Sequence, residues 1–187
     1  MAHPTQLVGS ETVLVVVDVQ EKLVPKIRGA EGLLANIEFL LDAAAILGLD
    51  RMATEQYPKG LGPTVASLAA KLPPTRPDKV GFSCCAIESF VPKLHEAAKT
   101  RVILVGIESH VCILNTALDL LAESFWVYLP VDAIGSRQLI DHETALRRLE
   151  GAGVILTTSE TVVFELTGGA GHPRFKEISA LIQKRVA

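Results

Sequence analysis

Several things are scarce in this chain. Its 187 residues contain three cysteines, Cys84, Cys85 and Cys112, no excess of basic residues, no Gly-rich phosphate loop and no long apolar run. Each shortage excludes a class. No stretch approaches the roughly 20 apolar residues of a membrane span, so no membrane partner is expected. Lys+Arg 18 against Asp+Glu 21 gives a net charge of −3. Phosphate-backbone binding needs a basic excess, so no nucleic-acid partner is expected either. An odd cysteine count in a chain this long does not make a disulfide framework and points to a reducing compartment. Met1-Ala2-His3-Pro4 carries no Lys or Arg before Lys22, and the first apolar run, Val13 to Val17, is too short for a signal peptide. A cytoplasmic location is expected. Gly 14 and Pro 10 are scattered without period, which excludes collagen-like and linker compositions.

What is abundant is apolar surface. At 49% apolar residues and a mean hydropathy of +0.34, the chain has enough to offset the entropy of ordering. One domain over residues 1–187 is expected. The apolar runs are short, β-branched and separated by segments of helical period. The pattern predicts strands at Val13–Val17, Arg51–Thr54, Lys79–Phe82, Val102–Val105, Trp126–Val131 and Val154–Leu156. Val-Leu-Val-Val-Val and Val-Ile-Leu-Val do not alternate with polar residues, as parallel strands buried on both faces do not. Leu33, Leu34, Ile37, Leu40, Leu41 and Ala44 mark a first helix, with Gly48 just past its end. Further helices are predicted at Gly62–Lys71, Ile87–Thr100, Val111–Glu123, Asp141–Gly151, Thr161–Leu166 and from about Arg174 onward. Strand and helix in alternation predict an α/β, three-layer Rossmann-like fold, with a six-stranded, mainly parallel sheet and helices on both faces.

In such a sheet, chemistry gathers where strands end and loops lead into helices. Strand one ends in Asp18, strand three borders Lys79, and Gly106 to Cys112 joins strand four to its helix. An acid, a lysine and a thiol thus share one edge. Familiar alternatives fail there. Asp18-Val19-Gln20-Glu21 carries no dinucleotide fingerprint, so no nucleotide cofactor is expected. Gly81-Phe82-Ser83-Cys84-Cys85 departs from a nucleophile elbow at its last position, where Gly is required. The five histidines show no ligand-like pair spacing, so no metal is expected. In the first turn of its helix, the Cys112 sulfur is expected to face unpaired N–H groups and the positive helix end, which favour thiolate. Taken singly, each residue has a plain alternative: Cys112 as a buried apolar cysteine, Asp18 as a helix cap, Lys79 as a solvent-facing strand residue.

Together these residues resemble the isochorismatase-like cysteine hydrolases. Val15-Val16-Val17-Asp18-Val19-Gln20 is similar to that family's first-strand motif, Lys79-Val80-Gly81-Phe82-Ser83 to its lysine motif, and Gly106-Ile107-Glu108-Ser109-His110-Val111-Cys112 to its nucleophile motif. Thr54 to Gly62, Phe164-Glu165-Leu166 and Pro173-Arg174-Phe175-Lys176 resemble the small isochorismatase domain-containing subgroup. The resemblance implies an Asp18–Lys79–Cys112 triad. Cys112 would attack a carbonyl carbon, Asp18 would move the proton, and Lys79 would hold both anions. It also implies a cis peptide between Ile107 and Glu108, with the N–H groups of Glu108 and Cys112 as an oxyanion hole.

Departures narrow the substrate. Ala53 to Lys59 lack the Asp-x-His pair of the metal-dependent nicotinamidases, so a metal-free enzyme without cofactor is implied. True isochorismatases lack the cysteine. The implied activity is cleavage of an amide or carbamoyl C–N bond in a small-molecule substrate. The alternatives are an isochorismatase-type ether or ester hydrolase and a catalytically idle, oligomeric binding protein. Gln20, Tyr57, Phe82 and His110 are the candidate substrate-binding residues, His110 being equally suited to packing within its loop. Cys84 and Cys85 read as packing at a helix start. A homo-oligomer, dimer or tetramer, is implied, with Val162 to Leu166, Ile178, Leu181 and Ile182 as candidate interface.

Overall fold

The strand Thr12–Val17 (β1) is buried along its whole length, which accounts for its unbroken apolar run. Leu14 and Val16 pack on one face of the sheet against Ile37, Leu41 and Val163, whereas Val13, Val15 and Val17 pack on the other against Phe90, Leu94 and Leu120. The two cores lie on opposite sides of one sheet and define the three layers.

The computed structural model describes residues 3–186. After β1 come Ala30–Leu47 (α1), Asp50–Gln56 (β2), Pro58–Leu61 (α2), Ala66–Ala69 (α3), Asp78–Lys79 (β3), Phe90–Glu96 (α4) and Arg101–Ile107 (β4). Then follow Leu114–Ala122 (α5), Trp126–Pro130 (β5), Ile134–Gly135 (β6), Leu139–Ala152 (α6), Ile155–Thr157 (β7), Ser159–Thr167 (α7) and Phe175–Val186 (α8). Every strand pair is parallel. The order is β3-β2-β1-β4-β5-β7, and β6 joins β4 beyond the point where β5 leaves it. The chain winds outward from β1 to β3, then restarts on the other side of β1 with β4. The β1–β4 seam is therefore the topological switch point, where crevices form at the carboxyl ends of strands. There the strands approach closely: a Cβ on Gly106, whose φ is +119°, would stand 2.2 Å from the Val17 carbonyl oxygen.

The six strands anticipated form the continuous path of the sheet among the described residues, and the two-residue β6 is added beside β4 off that path. Two expectations need correction. The strand expected over Lys79–Phe82 stops at Lys79, since the carbonyls of Gly81 and Phe82 turn back to accept from the Lys79 ammonium at 3.4 and 2.8 Å instead of continuing the ladder. The helix expected over Gly62–Lys71 is confined to Ala66–Ala69. Pro63 has no N–H to give a helix, and the Thr64 N–H and hydroxyl both donate to Glu55, at 2.9 and 2.7 Å. Among the described residues no helix is long and apolar enough to cross a membrane.

Candidate active site

Asp18 and Lys79 meet at the carboxyl ends of β1 and β3. The Lys79 ammonium donates to Asp18 Oδ2 at 2.7 Å, and both side chains are shut off from solvent. The other carboxylate oxygen accepts from the Thr54 hydroxyl at 2.8 Å. Asp18 itself sits in the left-handed region, φ +55°, which Asp tolerates better than most residues. Lys79 also donates to Gln56 Oε1 at 2.7 Å, and with the carbonyls of Gly81 and Phe82 its acceptors form a complete cage. Burial works against the ammonium, but Asp18 outweighs it and raises the Lys79 pKa.

Cys112 comes from β4. The Ile107–Glu108 peptide is cis, and Ser109–Ile113 then forms a single π-helical turn leading into α5. The Glu108 carbonyl accepts the N–H groups of Val111 (3.0 Å) and Ile113 (3.2 Å), stepping over that of Cys112 between them. The thiol is buried. Burial and then the Asp18 carboxylate push it up, with Lys79 opposing, so the resting group is a thiol. This corrects the expectation of a thiolate held by a helix N-terminus: the wider π turn replaces the first α-helical turn, and desolvation beside an anion dominates.

The other candidates separate. Gln20 is wholly buried, and its amide is consumed by the backbone: Nε2 donates to the carbonyls of Gln56 (3.0 Å) and Gly62 (2.6 Å), and Oε1 accepts from the Gln56 N–H (2.7 Å). It ties the loop after β2 to β1 and leaves nothing for a substrate. Tyr57 and Phe82 are exposed beside the Lys79 cage. His110 is half-buried, with Nδ1 3.0 Å from Ser136 Oγ and Nε2 3.8 Å from Asp141. Thr54 and Gln56 were missed by sequence reasoning. Both lie in a strand whose partner residues are invisible in sequence, and only the place of Thr54 beside Asp18 and of Gln56 beside Lys79 gives them a role. An apolar hollow of about 260 Å³, bordered by Met52, Phe90 and Leu94, includes none of the triad; convergence of polar groups, not hollow size, locates the site. Among the described residues no three His, Cys, Asp or Glu side chains gather as a metal set.

Cys84 lies on the edge of this cluster, its sulfur 3.5 Å from Thr54 Oγ1. Burial and then Asp18 push it from 9.0 to about 11. The folded state thus keeps a proton that the unfolded chain releases near pH 9, so stability falls as pH rises from 9 to 11. At about 1.4 kcal/mol per pH unit, Cys84 alone loses roughly 2–3 kcal/mol across that window. Cys112 and Lys79, both raised, act with the same sign. The thermal midpoint is expected to drop steeply between pH 9 and 11, and Cys84→Ala to flatten the slope. A midpoint unchanged up to pH 11 would contradict the assignment.

A doubly wound parallel sheet that brings an acid, a lysine and a thiol to its switch point is an α/β architecture of the Rossmann-like class. Residues 12–161 match the isochorismatase domain family model, and the chain belongs to the isochorismatase family. It is 39% identical over 186 residues to isochorismatase domain-containing protein 2A of Mus musculus, covering 97% of this chain and 87% of that protein. It is 38% identical to isochorismatase domain-containing protein 1 of Salmo salar, of whose length it spans 62%. Among solved structures, the MAR1 ribonuclease of Caenorhabditis elegans is similar with a TM-score of 0.88 and 41% identity, covering 95% of this chain and 92% of that one. YcaC of Escherichia coli, described as an octameric hydrolase of unknown specificity, gives 0.86 at 25% identity, covering 98% and 90%.

Proposed function

We propose that the protein is a metal-independent cysteine hydrolase that cleaves the C–N bond of a small amide or carbamoyl compound. The observation that carries this reading is the solvent-shielded Asp18–Lys79 pair beside a buried, protonated Cys112 thiol at the switch point. The thiol gives its proton to Asp18 as sulfur attacks the carbonyl carbon. The oxyanion that develops is met by the N–H groups of Glu108 and Cys112. Asp18 returns the proton to the departing amine as the C–N bond breaks and a thioester remains. Water then attacks the thioester, giving one proton to Asp18, and the acid product leaves as Asp18 reprotonates the sulfur. Lys79 holds Asp18 in place throughout, and its charge offsets the anion passing between oxygen and sulfur.

A free thiol as nucleophile suits a reducing, cytoplasmic setting. The octamer described for Escherichia coli YcaC makes a homo-oligomer part of the same proposal. The ribonuclease name of the Caenorhabditis elegans relative is not carried over. A net charge of −3 and a buried Lys79 ammonium already paired with Asp18 suit a neutral carbonyl better than a polyanion.

The test is a panel of primary amides, carbamoyl compounds and isochorismate, run with wild type and Cys112→Ala. Wild type is expected to release ammonia from at least one amide or carbamoyl compound, and Cys112→Ala to lower that rate by about 10³-fold or more. Hydrolysis that survives the substitution would transfer the assignment to the ether or ester reaction.

A further inference from the structure

The cysteine turn does not hold its shape alone. β6 pairs with the last residues of β4, Gly106 with Ile134 and Ile107 with Gly135, and so lays the segment after it alongside the turn. Three consecutive residues, Glu108 just before the turn and Ser109 and His110 within it, take their partners from that one segment. The Glu108 carboxylate accepts the Arg137 backbone N–H at 3.0 Å and its Nε–H at 3.0 and 3.2 Å. Ser109 Oγ lies 2.9 Å from His142 Nδ1, and His110 Nδ1 lies 3.0 Å from Ser136 Oγ. Glu108, Ser109 and Ser136 are buried, which limits competition from water at their ends of the bonds, whereas the Arg137 side chain is exposed. None of the partners touches the triad directly. What they share is a grip on the residues that carry one oxyanion donor, the Glu108 N–H, and the turn that aims the other, the Cys112 N–H.

We propose that Ser136, Arg137 and His142 are positioning residues for the reaction at Cys112, forming a clamp of three polar contacts that fixes the π turn in its attacking geometry. This rests on the reading of Cys112 as the nucleophile. Displacement of a reacting group by about 1 Å can cost on the order of 100-fold in rate, and each contact holds a residue within four positions of the sulfur. His142 is the most informative member. Burial lowers its pKa, with Glu143 opposing, and favours the neutral ring, in which Nδ1 either accepts from the Ser109 hydroxyl or donates to it. Asn places a polar atom where Nδ1 stands and can play the same part; Ala cannot.

The experiment is alkylation of the native protein by iodoacetamide at neutral pH, with the labelled thiols mapped, for wild type, Ser109→Ala, Arg137→Ala, His142→Ala and His142→Asn. Thermal melting of each variant accompanies it. Because Asp18 can take the Cys112 proton as sulfur attacks, Cys112 is expected to label faster than Cys85 in wild type even though its resting state is a buried thiol. His142→Ala and Ser109→Ala should slow Cys112 by about tenfold or more with Cys85 unchanged, and His142→Asn should restore most of the rate. Unchanged or faster labelling of Cys112 in Ser109→Ala, Arg137→Ala and His142→Ala, in protein that melts as wild type does, overturns the clamp while leaving the nucleophile intact. Wild-type Cys112 labelling no faster than Cys85 removes the nucleophile reading, and the clamp falls with it. Should one variant melt early, the remaining variants decide between these outcomes.

Discussion

Asp18→Asn is expected to reduce amide hydrolysis by about 10³- to 10⁴-fold while leaving the fold in place. The size follows from the resting state of the nucleophile. Burial and Asp18 hold Cys112 as a thiol, so attack must be accompanied by proton transfer, and general-base catalysis by a positioned group contributes about 10²- to 10⁴-fold. The amide cannot accept that proton, nor return it to the leaving amine. Its shape nevertheless fits. Asn tolerates the left-handed backbone at φ +55° as well as Asp does. Its oxygen can face Lys79, and its NH₂ can donate to the Thr54 hydroxyl, which now donates to Asp18 at 2.8 Å but can equally accept. The measurements are kcat/KM on the amide that wild type turns over fastest, and circular dichroism at matched temperature. Activity within tenfold of wild type would show that Asp18 is not the base. A collapsed spectrum would show instead that the Asp18 charge is needed for folding.

The parts of this molecule that could be read in the sequence are those whose cause is local. β1 and β4 announce themselves because burial on both faces demands unbroken apolar runs, and α1 because its seven buried residues recur at helical spacing and Gly48 closes it at φ +71°. Asp18, Lys79 and Cys112 could be placed on one edge because strand ends in a parallel sheet all open the same way. What could not be read depends on partners far away in the chain. β6 is two residues long and carries no period; it exists because Ile134 and Gly135 find β4. A lysine beside a strand gives no warning that its ammonium will draw the carbonyls of Gly81 and Phe82 back and end the strand. Gln20, two residues beyond the acid that ends β1, looks like a substrate ligand, and only the positions of Gln56 and Gly62 show its amide already spent. The state of Cys112 was inverted for the same reason: helix position is legible, whereas desolvation and the direction of a carboxylate are three-dimensional.

Lys79→Met is expected to be the most destabilising single change in the site, and the double variant with Asp18→Asn to be more stable than Lys79→Met alone. The ammonium, side chain 1% exposed, occupies a cage of four oxygens, and removing it leaves the Asp18 carboxylate buried with the Thr54 hydroxyl as its remaining side-chain donor. Breaking one side of a buried ion pair costs about 3–5 kcal/mol, mostly from the stranded charge. For a chain of this length that lowers the thermal midpoint by roughly 6–20 °C. Neutralising Asp18 as well removes the stranded charge, so the double variant should recover by about 1–3 kcal/mol, the range of coupling between contacting groups. Strict additivity of the two losses in thermal melting would mean that the pair, though 2.7 Å apart, does not stabilise the site through its charges. Rates should couple as well. In the proposed mechanism Lys79 acts by holding and balancing Asp18, so once Asp18 is Asn there is little left for the lysine to support. The double variant is therefore expected to hydrolyse amides no more than about threefold more slowly than Asp18→Asn alone, the non-additivity of residues that work as one unit.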